Sequence, residues 1–353
     1  MPLGTYQATG DWQPNVAAFR AFLGRMLGPH GGRGAAVDAG QVLAAAEQLK
    51  AVSAQLYERA DPPLESASLI AREEEVRPWA TSTGFRRIEG SAKMAPLGGL
   101  GQDRPRAALG IEEVTQPVRS FGNGYGFTRK EMAVSAYLNQ PLDPIYAGEC
   151  LRAFEELVDK LAAEGDENLG LYGVLTIPEI QANLYEGIEI GPNSSSEKIL
   201  VFLHSLASNI RSRTNKAHAP DVLVLPELQR RYLASRTYNT SSNGETLLQI
   251  FLKNSEDIKE VVSWERFKAK GDTDESGNRK HYIGAWRKLD PMVLRQQIPE
   301  PFFEHEPQVV NGDVIVDCEA SIGGVESIRP AAVQLSMIEN NDSELLTYFD
   351  DIA

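Results

Sequence analysis

The alternation of apolar and polar residues predicts two long strands in the first third of the chain. Between Val76 and Phe127, the stretches "VRPWATSTGFRRIEG" and "AALGIEEVTQPVRSFGNGYGF" read as extended segments that flank the Gly- and Pro-rich "SAKMAPLGGLGQDRPR". Two such strands around a Gly- and Pro-rich tip predict a large β-hairpin. Few hairpin residues are strongly apolar, and an isolated two-stranded ribbon is marginal in water. We therefore expect this hairpin to rest on something outside its own chain.

Two helices with clear start signals follow the hairpin. Thr128 and Glu131 have the spacing of a capping box and predict a short helix. A longer helix is predicted from Asp143 as N-cap and Pro144 at the first helical position to Gly165 as the stop. Its apolar residues recur at i, i+4 and i+7, so one face should be buried. This is the longest rigid element that the sequence predicts.

Helical and strand patterns alternate from about Leu171 onward. Ser194 with Glu197 predicts the start of the helix "SSSEKILVFLHSLASNIRSR". The stretches "DVLVLP", "IKEVVSW" and "HYIGAWRKL" read as strands, and "PELQRRYLAS" and "TLLQIFLKN" as short helices. This alternation predicts a compact α/β unit. The last part of the chain carries two strands broken at Gly323-Gly324, followed by an acidic tail.

The beginning of the chain has a different texture. Residues 1–38 are rich in Gly and Ala, which predicts an arm rather than a domain. Residues 40–59 carry a narrow apolar seam with helical spacing, suited to packing on a neighbouring surface.

Three glycines at alternate positions, in "FGNGYGF", raise the question of a phosphate-binding loop. Gly122, Gly124 and Gly126 match neither the dinucleotide fingerprint nor the P-loop, which need different spacings. In a strand, alternate residues share a face, so the glycines would leave one face bare while the aromatic residues among them cover the other. A bare face lets another backbone or a helix approach closely. We interpret the motif as the end of a strand.

Composition limits the classes of function. The 353 residues are 42% apolar with a formal charge of −14, which opposes binding of nucleic acid or acidic membranes through a basic surface. No apolar run approaches the roughly 18 residues of a membrane span, and the N-terminus lacks a signal-peptide pattern. Cys150 and Cys318 are too few for a disulfide scaffold, and we interpret both as buried apolar residues in a reducing compartment.

Candidate chemical motifs each have a simpler explanation. Ser195 and Lys198 spell Ser-x-x-Lys, but no Lys-Thr-Gly accompanies them and serines are ordinary helix caps. Residues 272–277 copy half of a calcium loop, yet its twelfth position is Ile283 where a Glu is required. The five histidines show no metal-ligand spacing. We therefore predict no catalytic residue, metal or cofactor.

The order of these parts resembles the major capsid proteins of tailed bacteriophages, whose Hong Kong 97-type fold is shared by encapsulin shells. The resemblance is closest in "FGNGYGFTRKEMAVSAYLNQPLDPIYAGECLRAFEELVDKLAAEG", and it extends through "PDVLVLPELQRRYLAS", "TLLQIFLKNSEDIKEVV" and "ASIGGVESIRPAAV". It covers roughly Val76 to Met337. The fold class that it implies is α+β.

The resemblance also implies a division of the chain. The implied regions are an N-terminal arm at 1–71 with a helix at about 40–59, an extended loop at 72–118, a peripheral domain at 119–174 and 300–337 with a spine helix at 143–164, an axial domain at 175–299, and an acidic tail at 338–353. The loop would lie across a neighbouring subunit. Some family members cleave a long N-terminal scaffolding segment, but the segment before the loop is short here and we do not expect cleavage.

The implied function is that of a non-enzymatic subunit. It would self-assemble into pentamers and hexamers of an icosahedral shell around the double-stranded DNA of a tailed phage, inside the host cytoplasm, with portal, scaffolding or decoration proteins as partners. An acidic lining would let packaged DNA slide. Two alternatives stay open: an encapsulin-type shell around a protein cargo, and a soluble α/β enzyme with an inserted hairpin.

The resemblance further implies which residues meet neighbouring subunits. These assembly residues are Lys93, Met94, Arg104, Arg106 and Arg119. In some members a lysine of the loop forms an isopeptide bond with an asparagine of a neighbour. Here that bond would join Lys93 to Asn311, although an ordinary exposed lysine explains Lys93 equally well.

Overall fold

The computed structural model describes most of the chain beyond the predicted arm. The described residues are 63–73, 77–92, 94, 106–138, 143–185, 187–238, 244–268, 279–311 and 313–350. Contacts divide the chain into residues 1–61 and 62–353, and all described residues belong to the second unit. The predicted helix at 40–59 lies outside them.

The described elements follow one another as a mixture of helices and strands. The helices are α1 Ser66–Leu69, α2 Arg129–Leu138, α3 Asp143–Ala163, α4 Ser196–Arg213, α5 Glu227–Ser235, α6 Leu247–Asn254 and α7 Asp342–Asp350. The strands are β1 Ala71–Glu73, β2 Ser82–Ser91, β3 Ala108–Phe127, β4 Gly165–Asp166, β5 Leu171–Tyr172, β6 Asn183–Tyr185, β7 Val222–Leu225, β8 Glu260–Ser263, β9 Arg279–Trp286, β10 Arg295–Gln297, β11 Glu300–Glu304, β12 Gln308–Val310, β13 Asp313–Gly323, β14 Val325–Glu326 and β15 Gln334–Asn340.

Local capping signals determine where the helices begin. Before α2, the Thr128 backbone N–H donates to Glu131 Oε2 at 2.9 Å and the Glu131 N–H donates to Thr128 Oγ1 at 3.3 Å, which is the capping box that the sequence predicts. The cap of α4 is Ser195 rather than Ser194, because Ser195 Oγ accepts the Lys198 N–H at 3.4 Å. The run of three serines offers equivalent caps, and the sequence alone does not separate them.

A mixed sheet forms the larger core of the molecule. Its strand order is β6-β15-β9-β7-β8, with β7 and β8 parallel and β9 antiparallel to both β7 and β15. Leu223 and Leu225 of β7 join the core under α4, α5 and α6, whereas Val222 and Val224 join a second core on the opposite face. Both faces of the sheet are therefore buried, which explains why "DVLVLP" is continuously apolar.

The end of the chain differs from the sequence prediction. That prediction placed 300–337 with the peripheral strands and treated 338–353 as an acidic tail. Instead β15 lies inside the mixed sheet, and the tail forms α7 with Leu345 fully buried. The Asn340 side chain fixes this segment by bonding the Ile190 N–H at 3.0 Å and the Ile190 carbonyl at 3.1 Å. The acidic composition masked a short apolar stripe along α7.

A second sheet carries the hairpin and supports the long helix. Its order is β11-β13-β3-β2, with β12 also paired to β13. Strand β3 pairs with β2 up to Pro117 and with β13 from Val118 onward, so one strand belongs to both the hairpin and the sheet. Pro117 has no N–H donor, and the change of partner occurs there. Helix α3 covers the inner face through Phe154 and Val158.

One buried carboxylate ties α3 to its surroundings. Asp159, only 3% exposed, accepts hydrogen bonds from the Ser66 N–H at 3.0 Å, from Trp264 Nε1 at 3.2 Å and from Arg266 Nε at 3.1 Å. These donors come from the start of α1 and from the segment that follows β8. The carboxylate thereby fixes the long helix against the body that contains the mixed sheet.

A partly buried acid lies beside this junction. Burial, and after it the nearby carboxylates Asp159, Glu265 and Glu227, together raise the pKa of Glu65 to about 7. The folded-state pKa thus lies above the ordinary value of 4.5. As the pH rises between these two values, the unfolded chain loses this proton while the folded chain keeps it. The free energy of unfolding therefore falls across that window.

We predict that Glu65→Gln stabilises the protein at alkaline pH. The neutral amide avoids the cost of ionising Glu65, so the variant should exceed the wild type by about 1 kcal/mol near pH 8, allowing for solvent around the carboxyl. The two proteins should match near pH 5. Urea unfolding at both pH values measures the difference. Glu156→Gln, on the exposed side of α3, is the control and should show no pH-dependent gain; equal gains for both variants would contradict the prediction.

Candidate assembly interface

The hairpin presents an apolar surface to solvent. Strands β2 and β3 pair continuously from Ser82 opposite Pro117 to Ser91 opposite Ala108. Ile88 lies opposite Ile111, and Leu109 follows on the same face. Their exposed fractions are 67%, 70% and 74% respectively. We call these three residues the apolar face of the hairpin.

The opposite face of the hairpin contacts the rest of its own chain. Arg87 bonds Glu112 across the ladder at 2.6 Å and Glu179, in the segment after β5, at 2.9 Å. Nearer the base, the Arg295 guanidinium lies over the Phe85 ring, 5.8 Å from its centroid. The hairpin therefore has one face held by its own chain and one face without such contacts among the described residues.

Two polar residues anchor the base of the hairpin. Thr83 of β2 and Gln116 of β3 are both buried. Thr83 Oγ1 donates to Glu326 Oε1 at 3.1 Å, and Gln116 Nε2 donates to the Val325 carbonyl at 2.9 Å. Both contacts reach β14, which belongs to the small sheet of order β1-β10-β14. The root of the hairpin is thus hydrogen-bonded to this small sheet.

The Glu326 carboxylate at this root is buried, and its charge is paired and hydrogen-bonded. Glu326 is 2% exposed, and its Oε2 accepts from Arg295 Nη2 at 2.9 Å and from Gln297 Nε2 at 3.1 Å. Arg295 Nη1 in turn contacts Glu73 Oε2 of β1 at 2.6 Å. A buried charge is tolerated only when it is paired and hydrogen-bonded, so each of these groups constrains the others. We call Thr83, Gln116, Glu326, Arg295 and Gln297 the anchor.

A glycine makes the close approach at the anchor possible. A Cβ on Gly324 would overlap Gln116 Oε1 and would lie 2.7 Å from the Tyr172 nitrogen and 2.8 Å from the Tyr172 oxygen. Because two of these atoms belong to the backbone, they cannot move aside. The sequence predicted only a break at Gly323-Gly324, and the structure supplies the reason for it.

The alternate glycines lie at the other end of β3. Gly122, Gly124 and Gly126 are exposed and pair with β13, while Tyr125, between two of them, and Phe127, after the last, are buried against α3. A Cβ on Gly124 would lie 2.9 Å from the Val316 carbonyl oxygen. The motif is therefore a strand with one bare face, as the spacing predicts, and it does not form a loop before a helix.

The remaining predicted residues fall in several places. Met94 is fully exposed just beyond β2, and Arg106 is exposed just before β3. Arg119 Nε donates to the Leu169 carbonyl at 3.1 Å, a contact within its own chain. Lys93 and Arg104 lie outside the described residues. Met94 and Arg106 therefore lie just beyond the outer end of the β2–β3 ladder, whereas Arg119 is bonded to the segment before β5.

The residues predicted to frame the long helix also have defined positions. Asp143 and Pro144 are the first two residues of α3, which ends at Ala163. Gly165 has a φ of 70° and turns the chain back, and a Cβ there would overlap the Leu171 carbonyl. Asn311 is exposed at the turn between β12 and β13.

The sequence analysis missed the anchor and the apolar face. Thr83 and Gln116 occupy polar positions in alternating strands, which look the same whether they face water or a buried partner. The apolar face did leave a signal, because Ile88, Leu109 and Ile111 are the strongly apolar residues of an otherwise polar hairpin face.

The sequence motifs that resemble catalytic or metal-binding motifs do not form a reactive site in the part of the chain that the structure describes. Ser195 caps a helix, and residues 272–277 lie outside the described ranges. Among the residues described, no group of three or more His, Cys, Asp and Glu is arranged to hold a metal ion. None of the helices in the described part is long and apolar enough to cross a membrane.

Solved structures of phage capsids share this fold. The capsid of Myoviridae phage XM1 superposes with a TM-score of 0.68 at 15% identity, covering 83% of this chain and 97% of that chain. The structure from Mycobacterium phage Che8 gives 0.54 at 12% identity, with 83% and 96% covered. The capsid of a native GTA particle gives 0.55 at 14% identity, with 83% and 97% covered. The fold is therefore that of the Hong Kong 97-type capsid proteins.

The sequence carries the same relationship. The model of the family described as "Major capsid protein" matches residues 90–336, which include the second hairpin strand, α3 and most of the mixed sheet. The chain belongs to the major capsid protein family. No curated protein matches its sequence.

We predict that Gly324→Ala destabilises the subunit by about 2–4 kcal/mol, because the new methyl group would press on the Tyr172 backbone. The measurement is thermal or urea unfolding of the purified, unassembled protein. Gly148→Ala is the matched control: no atom lies within 4 Å of the added Cβ, and alanine in helix α3 should gain up to about 1 kcal/mol. A Gly324→Ala protein as stable as the wild type would refute the close packing.

Proposed function

We propose that this chain is the repeating subunit of an icosahedral shell that encloses the double-stranded DNA of a tailed phage. The subunit would form pentamers and hexamers in the cytoplasm of the bacterial host and remain in the virion. Membership of the major capsid protein family supports the proposal that the chain forms a shell. The similarity of fold to phage capsids supports the proposal that the shell is that of a phage.

One observation carries the proposal: a hairpin that is fixed at its root and apolar on its open face. Burying a side chain such as isoleucine contributes about 1.5–3 kcal/mol, so leaving Ile88, Leu109 and Ile111 in water forgoes that stabilisation. A neighbouring copy of the same chain would cover them. Each contact is modest, but every subunit repeats it, and multivalency stabilises the whole shell.

The division of labour within the subunit follows the two sheets. The extended loop at 72–118 would contact a neighbour, residues 119–174 and 300–333 would form the peripheral domain, and 175–299 the axial domain. We assign β15 and α7 to the axial domain as well, because β15 pairs with β9 and Leu345 is buried in the same core. The subunit would act without any catalytic step.

The net charge of the chain supports DNA as the enclosed cargo. A chain with a net charge of −14 offers little overall attraction to phosphates, so DNA would be enclosed under confinement rather than bound tightly. Portal, scaffolding or decoration proteins would be the other partners. Finding nuclease-protected DNA inside particles purified from infected cells would support this cargo, whereas an enclosed protein with no DNA would identify an encapsulin-type compartment instead.

We predict that Ile88→Asp abolishes shell formation, because a carboxylate at the centre of the apolar face would be buried without a partner. Negative-stain electron microscopy of the purified protein should show closed shells for the wild type. The variant should remain as soluble subunits whose melting temperature matches that of unassembled wild type. Ile88→Val keeps the face apolar and should still assemble. Shells of normal yield from Ile88→Asp would exclude this face from assembly.

We expect assembled particles to run as a clean monomer band on denaturing electrophoresis. Asn311 is exposed, but Lys93 lies outside the described residues, so the isopeptide bond stays a hypothesis. A ladder of dimers and larger species that resists boiling in detergent would establish the bond. Its loss in Lys93→Arg, with assembly retained, would assign the lysine.

A further inference from the structure

The two cysteines of the chain lie side by side in the fold. Cys150 is on α3 and Cys318 is on β13, far apart in the sequence, and the chain contains no other cysteine. Both are free and buried, and both belong to one apolar cluster with Tyr125 and Val316. The sequence alone predicts only two separate buried apolar residues. The fold makes them a pair.

Asn123 shows how closely the pair is placed. Asn123 of β3 lies directly opposite Cys318 in the β3–β13 ladder, where paired Cα atoms are about 4.5–5.5 Å apart. Its side-chain Nδ2 donates to the Cys150 carbonyl at 3.1 Å. Asn123 therefore reaches the backbone of Cys150 from the ladder position that faces Cys318.

We propose that Cys150 and Cys318 form an intrachain disulfide when the folded protein meets a small disulfide oxidant, and that this bond fastens α3 to β13. Disulfides need Cα atoms within roughly 4.4–6.8 Å, and the contacts through Asn123 hold the two backbones close together. The pair is thus a modification site that links the long helix to the sheet beneath it.

The chemistry is thiol–disulfide exchange in two steps. The Cys318 thiolate attacks one sulfur of a small disulfide, R–S–S–R, which forms a mixed disulfide and releases R–SH after protonation. The Cys150 thiolate then attacks the Cys318 sulfur and releases the second R–SH. The two protein thiols together lose two protons and two electrons, and the small disulfide gains them.

A cavity gives the oxidant a route to Cys318. It measures about 290 Å³ between α3 and the second sheet, and Phe154, Phe302 and Cys318 are among its lining residues. Burial raises the pKa of the Cys150 thiol, and burial with nearby charges raises that of Cys318 to about 11. Few thiolates exist at neutral pH, so oxidation should be slow and should require lasting exposure.

The position of the bond determines its effect. The chain between Cys150 and Cys318 contains four of the five strands of the mixed sheet, so the disulfide would close a loop around most of that sheet. Closing so long a loop restricts the unfolded chain. The timing rests on the proposed function, because a shell that leaves a reducing cytoplasm enters oxidising surroundings.

The test uses the purified full-length protein with oxidised or reduced glutathione near pH 8. After denaturation, a maleimide carrying polyethylene glycol counts free thiols on a non-reducing gel. The reduced wild type should take two labels and the oxidised wild type none, with a linked peptide containing both cysteines in mass spectrometry. The melting temperature should rise by roughly 5–10 °C on oxidation and return with dithiothreitol.

Single variants are the matched controls. Cys150→Ser and Cys318→Ser each keep one thiol, so neither should gain thermal stability from the oxidant. Two labels on oxidised wild type, two separate glutathione adducts, or links between chains would each overturn the proposal. The linked peptide is measured on the wild type, so the test does not depend on the variants folding. Shell formation is scored separately by microscopy, so failure of the disulfide is distinguishable from failure of the capsid function.

Discussion

The enclosed carboxylate of Glu326 sets the direction of the hairpin. A charge removed from water must be paired, and the three partners of Glu326 come from two different strands: Arg295 and Gln297 from β10, and Thr83 from β2. These bonds form together only when the root of the hairpin lies against the small sheet. Orientation is therefore imposed at one end by hydrogen bonds, and the length of the hairpin stays available for contacts with another chain.

A second carboxylate performs the corresponding task for the long helix. Asp159 gathers donors from α1 and from the segment after β8, so α3 and the mixed-sheet body are held together by a buried charge as well as by apolar packing. Strand β3 connects the contacts around Glu326 with those around Asp159, because its first half belongs to the hairpin and its second half supports α3. The single strand β3 thus connects the hairpin with α3 and the second sheet.

Local signals in the sequence were sufficient for the parts of the fold that depend on neighbours along the chain. The capping box at Thr128 and the apolar run at "DVLVLP" correctly predict α2 and β7. Partners that lie far apart in the sequence were not predictable: Thr83 and Glu326 are separated by 243 positions, and nothing near Thr83 marks it as buried. The same limit explains the error at β15, whose pairing partner β9 precedes it by about fifty residues.

The continuity of β3 also makes the subunit a lever. Eight ladder steps separate Thr83 from Ser91, and at about 3.3 Å per residue they put the end of the ladder about 26 Å from its fulcrum at the anchor. A tilt of about 5° at the root would therefore displace the end of the ladder by about 2 Å. Ile88, nearer the anchor, would move by about 1.5 Å. One rigid subunit can in this way meet neighbours at slightly different angles without refolding.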